Sequence, residues 1–164
     1  MWQKLVLVIG LMLATSITAS GQAIQLFGGY SYQRFDGTPS VNLSGWEVAG
    51  RVRLISWLGG VADVAGHYGS PSSVNMRTVT ATFGPEISVP TRISPFFHVL
   101  GGVGRIRIGS ATDTSFATTI GGGVDWRLVP FVSWRVVQID DVRTRFFGST
   151  QHNARISTGI VLRF

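Results

Sequence analysis

From Ile24 onward the chain alternates apolar residues with small or polar ones at a period of two, again and again, in segments about ten residues long. Few folds tolerate such a pattern. Gly45 to Leu54 is its cleanest stretch. Trp46, Val48, Gly50, Val52 and Leu54 form one face, and Glu47, Ala49, Arg51 and Arg53 form the other. Successive side chains of a strand point to opposite faces, so a strand separates these sets completely. A helix would spread the charges around its circumference.

The pattern recurs seven more times. It runs over Ile24–Phe35, Leu58–Tyr68, Arg77–Val89, Pro95–Ile106, Ser115–Trp126, Pro130–Arg143 and His152–Phe164. In the seventh segment the parity blurs after Val137, as a β-bulge would make it. Eight strands are an even number, as single-chain bacterial barrels require, and about ten residues suit a tilted strand crossing a membrane. Short connections are expected at Ile55–Trp57, Pro90–Ser94 and Arg127–Val129. Longer polar ones are expected at Asp36–Ser44, Gly69–Met76, Arg107–Thr114 and Thr144–Gln151. Outer-membrane barrels have short periplasmic turns and longer external loops, so both termini are expected to face the periplasm.

A soluble sandwich or lipocalin-like barrel also alternates, with its polar face toward water. That face would then be rich in charge. Here it is mostly Gly, Ser, Thr and Ala, only 13% of residues are charged, and there are 21 Gly. Soluble domains average about 25% charged residues. Small residues suit the crowded inside of an eight-stranded barrel. The expected fold is therefore all-β: an eight-stranded antiparallel up-and-down transmembrane β-barrel over residues 24–164. Lipid satisfies no backbone N–H or C=O group, so strand eight must pair with strand one.

Met1 to Ala23 reads as a cleaved signal peptide. Lys4 supplies the positive start, Leu5 to Ala14 the apolar stretch, and Thr15 to Ala23 a small polar end. Cleavage after Gly21 or Ala23 fits the small-x-small rule. Ten apolar residues are too few for a spanning helix, which needs about 20, and no later window qualifies. The sequence has 0 Cys, which excludes disulfides, thiolate metal sites and lipid attachment at cysteine. The net charge is +6, but basic residues such as Arg51, Arg105, Arg135 and Arg155 stand singly among apolar ones. A nucleic-acid binder would cluster them, so no nucleic-acid partner is expected.

Glu47, Arg51, Arg53, Asp63, His67, Glu86, His98, Asp125, Arg135, Arg155 and Arg163 all fall on the polar face. Charges in a narrow interior must pair, because an isolated one costs several kcal/mol. They are expected to form a lumen network that plugs the barrel. Tyr30, Trp46, Trp126 and Trp134 fall near strand ends or on the outward face, as the aromatic girdles of membrane barrels do. Catalysis finds little support. Asp63 and His67 share a face but stand about 13 Å apart along a strand, and no serine occupies a nucleophile motif. No histidine pair has ligand-like spacing, so no metal or cofactor is expected.

Leu26-Phe-Gly-Gly-Tyr-Ser-Tyr32, Val61-Ala-Asp-Val-Ala-Gly-His-Tyr68, Phe83-Gly-Pro85, Pro95-Phe-Phe-His98, Gly121-Gly-Gly-Val-Asp125 and Ile156-Ser-Thr-Gly-Ile-Val-Leu-Arg-Phe164 together resemble the small bacterial outer-membrane β-barrel domain family, the OmpA/OmpX-like porin-like barrels. The resemblance implies that Ile160, Leu162 and the terminal Phe164 form the assembly signal read by the barrel-assembly machinery. It implies a monomer in the bacterial outer membrane, in contact with bilayer lipid and lipopolysaccharide. A structural or interaction role, rather than an enzyme, is expected. A lipid-modifying barrel with a rim site and a narrow pore for small solutes are the alternatives.

Overall fold

The computed structural model describes residues 24–35 and 40–164. The signal peptide expected over residues 1–23 lies outside them. Eight strands follow one another: β1 (Ile24–Phe35), β2 (Val41–Arg53), β3 (Leu58–Gly69), β4 (Met76–Ser88), β5 (Ile93–Ile108), β6 (Ala111–Val129), β7 (Val132–Phe146) and β8 (Ser149–Arg163). A 3₁₀ turn, Pro71–Ser73, lies between β3 and β4. Each strand pairs antiparallel with the next, and β8 pairs with β1, so the sheet closes into a barrel. Closure leaves no unpaired edge.

The closing seam brings both chain ends together. The Phe164 amide donates to the Ile24 carbonyl at 2.8 Å. The turns at 54–57, 89–92 and 130–131 lie at this terminal end. The connections at 70–75, 109–110 and 147–148 lie at the opposite, hairpin end, as do the end of β1 and the start of β2.

Two of the expected loops are strand instead. The stretches Arg107–Thr114 and Thr144–Gln151 belong almost wholly to ladders that continue past the apolar wall. Their hairpins turn in two residues. Phe147 and Gly148 have φ of 51° and 79°, the left-handed pair of a type I′ turn, and Gly109 has φ 57°. Polarity marked these segments as loops, but a polar strand pairs as well as an apolar one. The turn expected at Arg127–Val129 sits instead at Pro130–Phe131, because β6 runs on to Val129. Proline's fixed φ suits the turn better than the ladder.

The barrel is apolar outside and mixed inside. Phe83 is 72% exposed and Phe116 69%, with Val103, Ile139 and Ile156 also turned outward. A contiguous apolar wall of this kind belongs against lipid or a partner, not water. The parity blur in β7 is a bulge. Val124 pairs with Val137 but Asp125 with Arg135, leaving Val136 as the extra residue. On the terminal side of the bulge the odd residues Ser133 and Arg135 face inward. Beyond it the even residues Gln138, Asp140, Val142, Thr144 and Phe146 do.

At the seam, Gly29 and Gly159 are register partners. A Cβ on Gly159 would lie 2.3 Å from the Gly28 carbonyl oxygen and 2.4 Å from the Gly29 Cα. A Cβ on Gly50, on the outer wall, would meet nothing within 4 Å. Gly159→Val is therefore expected to cost about 2–3 kcal/mol and to lower the folded fraction on unboiled gels. Gly50→Val should migrate as the parent does.

Candidate functional site

The inward faces of the strands converge on a network of ion pairs. Arg51, from β2, grips Glu86 of β4 as a fork: Nε lies 2.5 Å from Oε1 and Nη2 2.9 Å from Oε2. Its Nη1 donates to Gln25 Oε1 at 2.9 Å and reaches Asp125 Oδ2 at 3.3 Å. Arg135 holds the same Asp125 through Nε at 2.8 Å and Nη2 at 3.3 Å. Its guanidinium lies 4.1 Å from the centre of the Phe27 ring and 4.4 Å from that of Phe96, where cation–π attraction adds to the packing.

A second cluster centres on Arg155, which is fully buried. Its Nη2 and Nε donate to Asp140 Oδ2 at 2.7 and 3.0 Å, and Nη1 donates to Asp63 Oδ1 at 3.0 Å. Glu47 Oε2 lies 3.6 Å from Nε. Two groups join the clusters. Gln138 Oε1 accepts from Arg135 Nη1 at 2.5 Å, and its Nε2 donates to Glu47 at 2.8 Å and Asp140 at 2.7 Å. His98 stands between Asp140 Oδ1, at 2.9 Å, and Glu86 Oε2, at 3.7 Å.

Five carboxylates meet three arginines in this network, so further donors must complete it. Gln138 and His98 supply two. Ser157 supplies a third, donating to Glu47 Oε2 at 2.5 Å. Ser31 lies 3.0 Å from Ser157 and 2.8 Å from His67 Nε2. One direction of donation satisfies the whole row, from His67 to Ser31, Ser157 and Glu47.

Toward the hairpin end the interior turns apolar. Phe35, Leu43, Met76, Ile106 and Phe146 pack together, with Val41 against them. A second apolar group, Phe27, Ala49, Val61, Leu100 and Val161, packs beside the ion pairs. A cavity of about 10 Å³, lined in part by Asp63, Glu86 and His98, lies within the network. It has room for about one water molecule.

No family model and no curated protein matches the chain. Solved structures do. Neisserial surface protein A is 14% identical, with a TM-score of 0.62 over 88% of this chain and 98% of that one. Ail of Yersinia pestis, solved in complex with the heparin analogue sucrose octasulfate, is 15% identical, with a TM-score of 0.60 over 87% and 97%. The outer membrane protein OprG from Pseudomonas aeruginosa is 10% identical, with a TM-score of 0.56 over 88% and 96%. The chain has the fold of the small outer-membrane β-barrels.

Within that fold the residues expected in the lumen separate into two groups. Glu47, Arg51, Asp63, Glu86, His98, Asp125, Arg135 and Arg155 stand in the network, with His67 at its edge through Ser31. Among the described residues, Arg53 and Arg163 enter no ion pair with a carboxylate. They face inward at the terminal end, beyond the last inward acid, and Arg163 Nε donates to Ser133 Oγ at 2.9 Å. Asp140 and Gln138 are essential members that alternation alone does not find, because the bulge reverses the parity before them. The adjacent apolar pair Val136-Val137 is the only trace of it in the sequence.

Asp63 does not orient His67, since it is held by Arg155. The serine beside His67 is Ser31, both are fully buried, and the contact runs on through Ser157 to Glu47. No group of His, Cys, Asp or Glu among the described residues could hold a metal ion. On the outer wall Tyr30 pairs with Trp46 toward the hairpin end, and Trp126 with Trp134 toward the terminal end. The Trp126 and Trp134 ring centres are 6.4 Å apart. Ile160, Leu162 and Phe164 all face outward on or just after β8.

Arg155→Met leaves Glu47, Asp63 and Asp140 buried without their main counter-charge. It is expected to cost about 3–5 kcal/mol, read as a lower urea midpoint in lipid or detergent. Adding Asp140→Asn should recover part of the loss. Arg143→Gln, which breaks a half-exposed pair with Asp141, should change stability by less than about 1 kcal/mol.

Proposed function

We propose that the protein is an integral outer-membrane barrel of structural or interaction type, exported behind a cleaved signal peptide and closed to solutes. The filled interior carries this reading. Three guanidiniums and five carboxylates interlock across the lumen, and an apolar cap covers them at the hairpin end. An eight-stranded barrel has just enough interior for side chains, and here they occupy it. The apolar wall and its two groups of aromatic residues support lipid as the surrounding medium.

Both termini face the periplasm in this proposal, and the hairpin end faces outward. The outward run of Ile160, Leu162 and Phe164 serves as the signal for the barrel-assembly machinery, and the folded barrel is a monomer. It performs no catalysis. A lipid-modifying enzyme would need a nucleophile at a rim, whereas Ser31 and His67 lie buried.

Two measurements test this. The protein should fractionate with outer membranes and migrate faster on gels when unboiled. Extraction by high salt alone would overturn the membrane assignment. Purified protein in planar bilayers should show no steady conductance. A sustained open level would mean that the lumen is a pore.

A further inference from the structure

The outer wall carries its cations at one end. Arg34, Arg77, Arg105, Arg107, Arg143 and Arg145 all face outward near the hairpin end. At the terminal end, Arg53, Arg127 and Arg163 face inward, and the exposed Arg92 lies in a turn. Among the described residues, the carboxylates near the hairpin end are already engaged. Asp141 is held by Arg143 at 2.9 Å and His152 at 3.3 Å. Asp113 accepts from the amides of Thr114 and Phe147.

Arg77, Arg105 and Arg107 are the concentrated part of this collar. Among the described residues none of them enters an ion pair. Arg77 and Arg107 are direct register partners across β4 and β5, and Arg105 faces Val79 beside them. Like charges directly opposite on neighbouring strands are unfavourable. A fold that keeps such a pair is breaking a local rule, which natural sequences do mainly at functional sites. The three guanidiniums border a cavity of about 270 Å³. Arg77 and Arg107 also border a second, of about 470 Å³, with Tyr68 and Asn75. Tyr68 braces Arg77, whose guanidinium lies 4.8 Å from the ring centre.

Height on the wall selects the ligand. Along the outward face of β5 the sequence runs Phe97, Val99, Gly101, Val103, then Arg105 and Arg107. The change from hydrocarbon-like to cationic takes one outward step, about 6–7 Å. Phe116 and Phe83 complete the apolar wall next to Val103. A cation cluster immediately above an apolar belt stands where lipid headgroups meet acyl chains. Every cationic side chain after residue 23 is arginine, whose planar fork binds phosphate oxygens two at a time.

We propose that Arg77, Arg105 and Arg107 form a binding site for the phosphate groups of an outer-leaflet glycolipid of the lipopolysaccharide type, seated against β4 and β5. The proposal rests on the outer-membrane reading above and adds its lipid-specific site. The ligand's acyl chains lie along Phe83, Val103 and Phe116, and its phosphates enter the arginine cavities.

The test compares the full-length protein with R77Q/R105Q/R107Q and with R92Q, each purified in mild detergent from outer membranes. Lipopolysaccharide retained per barrel is measured by mass spectrometry and by binding of a fluorescent lipopolysaccharide. The triple variant should retain roughly tenfold less, and R92Q as much as the parent. Lipopolysaccharide stripped of its lipid A phosphates should bind the parent as weakly as the intact lipid binds the triple variant. Equal retention by parent and triple variant would overturn the site. So would equal binding of the stripped lipid. Binding of inorganic phosphate or a sulfated glycan at these arginines, without lipopolysaccharide, would overturn the lipid as ligand. Migration on unboiled gels, recorded for each variant, separates failure of the barrel from failure of the site.

Discussion

A backbone amide in hydrocarbon has no water to bond, and each unpaired group costs several kcal/mol. A chain that crosses lipid as strands must therefore pair every edge. The β1–β8 ladder does this here, over ten register pairs from Gln25↔Arg163 to Arg34↔Ala154. Much else follows from closure. Backbones come close enough at the seam for Gly29 to face Gly159, leaving no space for a Cβ on either. The wall must be apolar on its outer side, which sends the polar residues inward and creates the second problem of the fold.

That problem is how to fill a narrow interior with the residues that alternation leaves there. Small residues fill part of it. Charged ones can enter only with partners, and every counter-charge in the network comes from another strand. Arg155 of β8 reaches Asp63 on β3 and Asp140 on β7, and Arg51 of β2 reaches Glu86 on β4 and Asp125 on β6. The network therefore crosses the barrel as well as following the wall, where Arg155 and Asp140, and Arg135 and Asp125, are register partners. It ties non-adjacent strands that the backbone ladder does not connect. Pairing of this kind sets register as well as charge balance, because a one-residue slip of β2 would turn Glu47 and Arg51 toward the outside.

The faces of the strands are legible in the sequence because only period two separates Glu47, Arg51 and Arg53 from Trp46, Val48 and Val52. Which inward charges would meet is not legible, since pairing across a lumen depends on shear and on side-chain length. Arg53 and Arg163 lie on the inward face but past the carboxylates, at the terminal mouth. Asp140 and Gln138 were hidden by one inserted residue, Val136, which shifts every later position of β7 to the other face. At Arg107–Thr114 and Thr144–Gln151 polarity reads as loop, yet it reflects the end of the apolar wall, not the end of hydrogen bonding. The apolar cap was hidden for a related reason. Leu43, Met76, Ile106 and Phe146 sit near strand ends, where an isolated apolar residue on the polar face carries no periodic signal.

These strand extensions bear on where the barrel can make contacts. Among the described connections at the hairpin end, two turn in two residues and a third spans 70–75. Connections of two residues offer little surface of their own. The long ladders β5–β6 and β7–β8 instead raise a rigid collar of paired strands above the apolar wall, and the outward arginines stand on that collar. Side chains fixed on a hydrogen-bonded sheet lose less freedom on binding than side chains on a mobile loop. A barrel built this way is suited to recognise what lies beside it in the plane of the membrane, with its walls, more than what approaches from above.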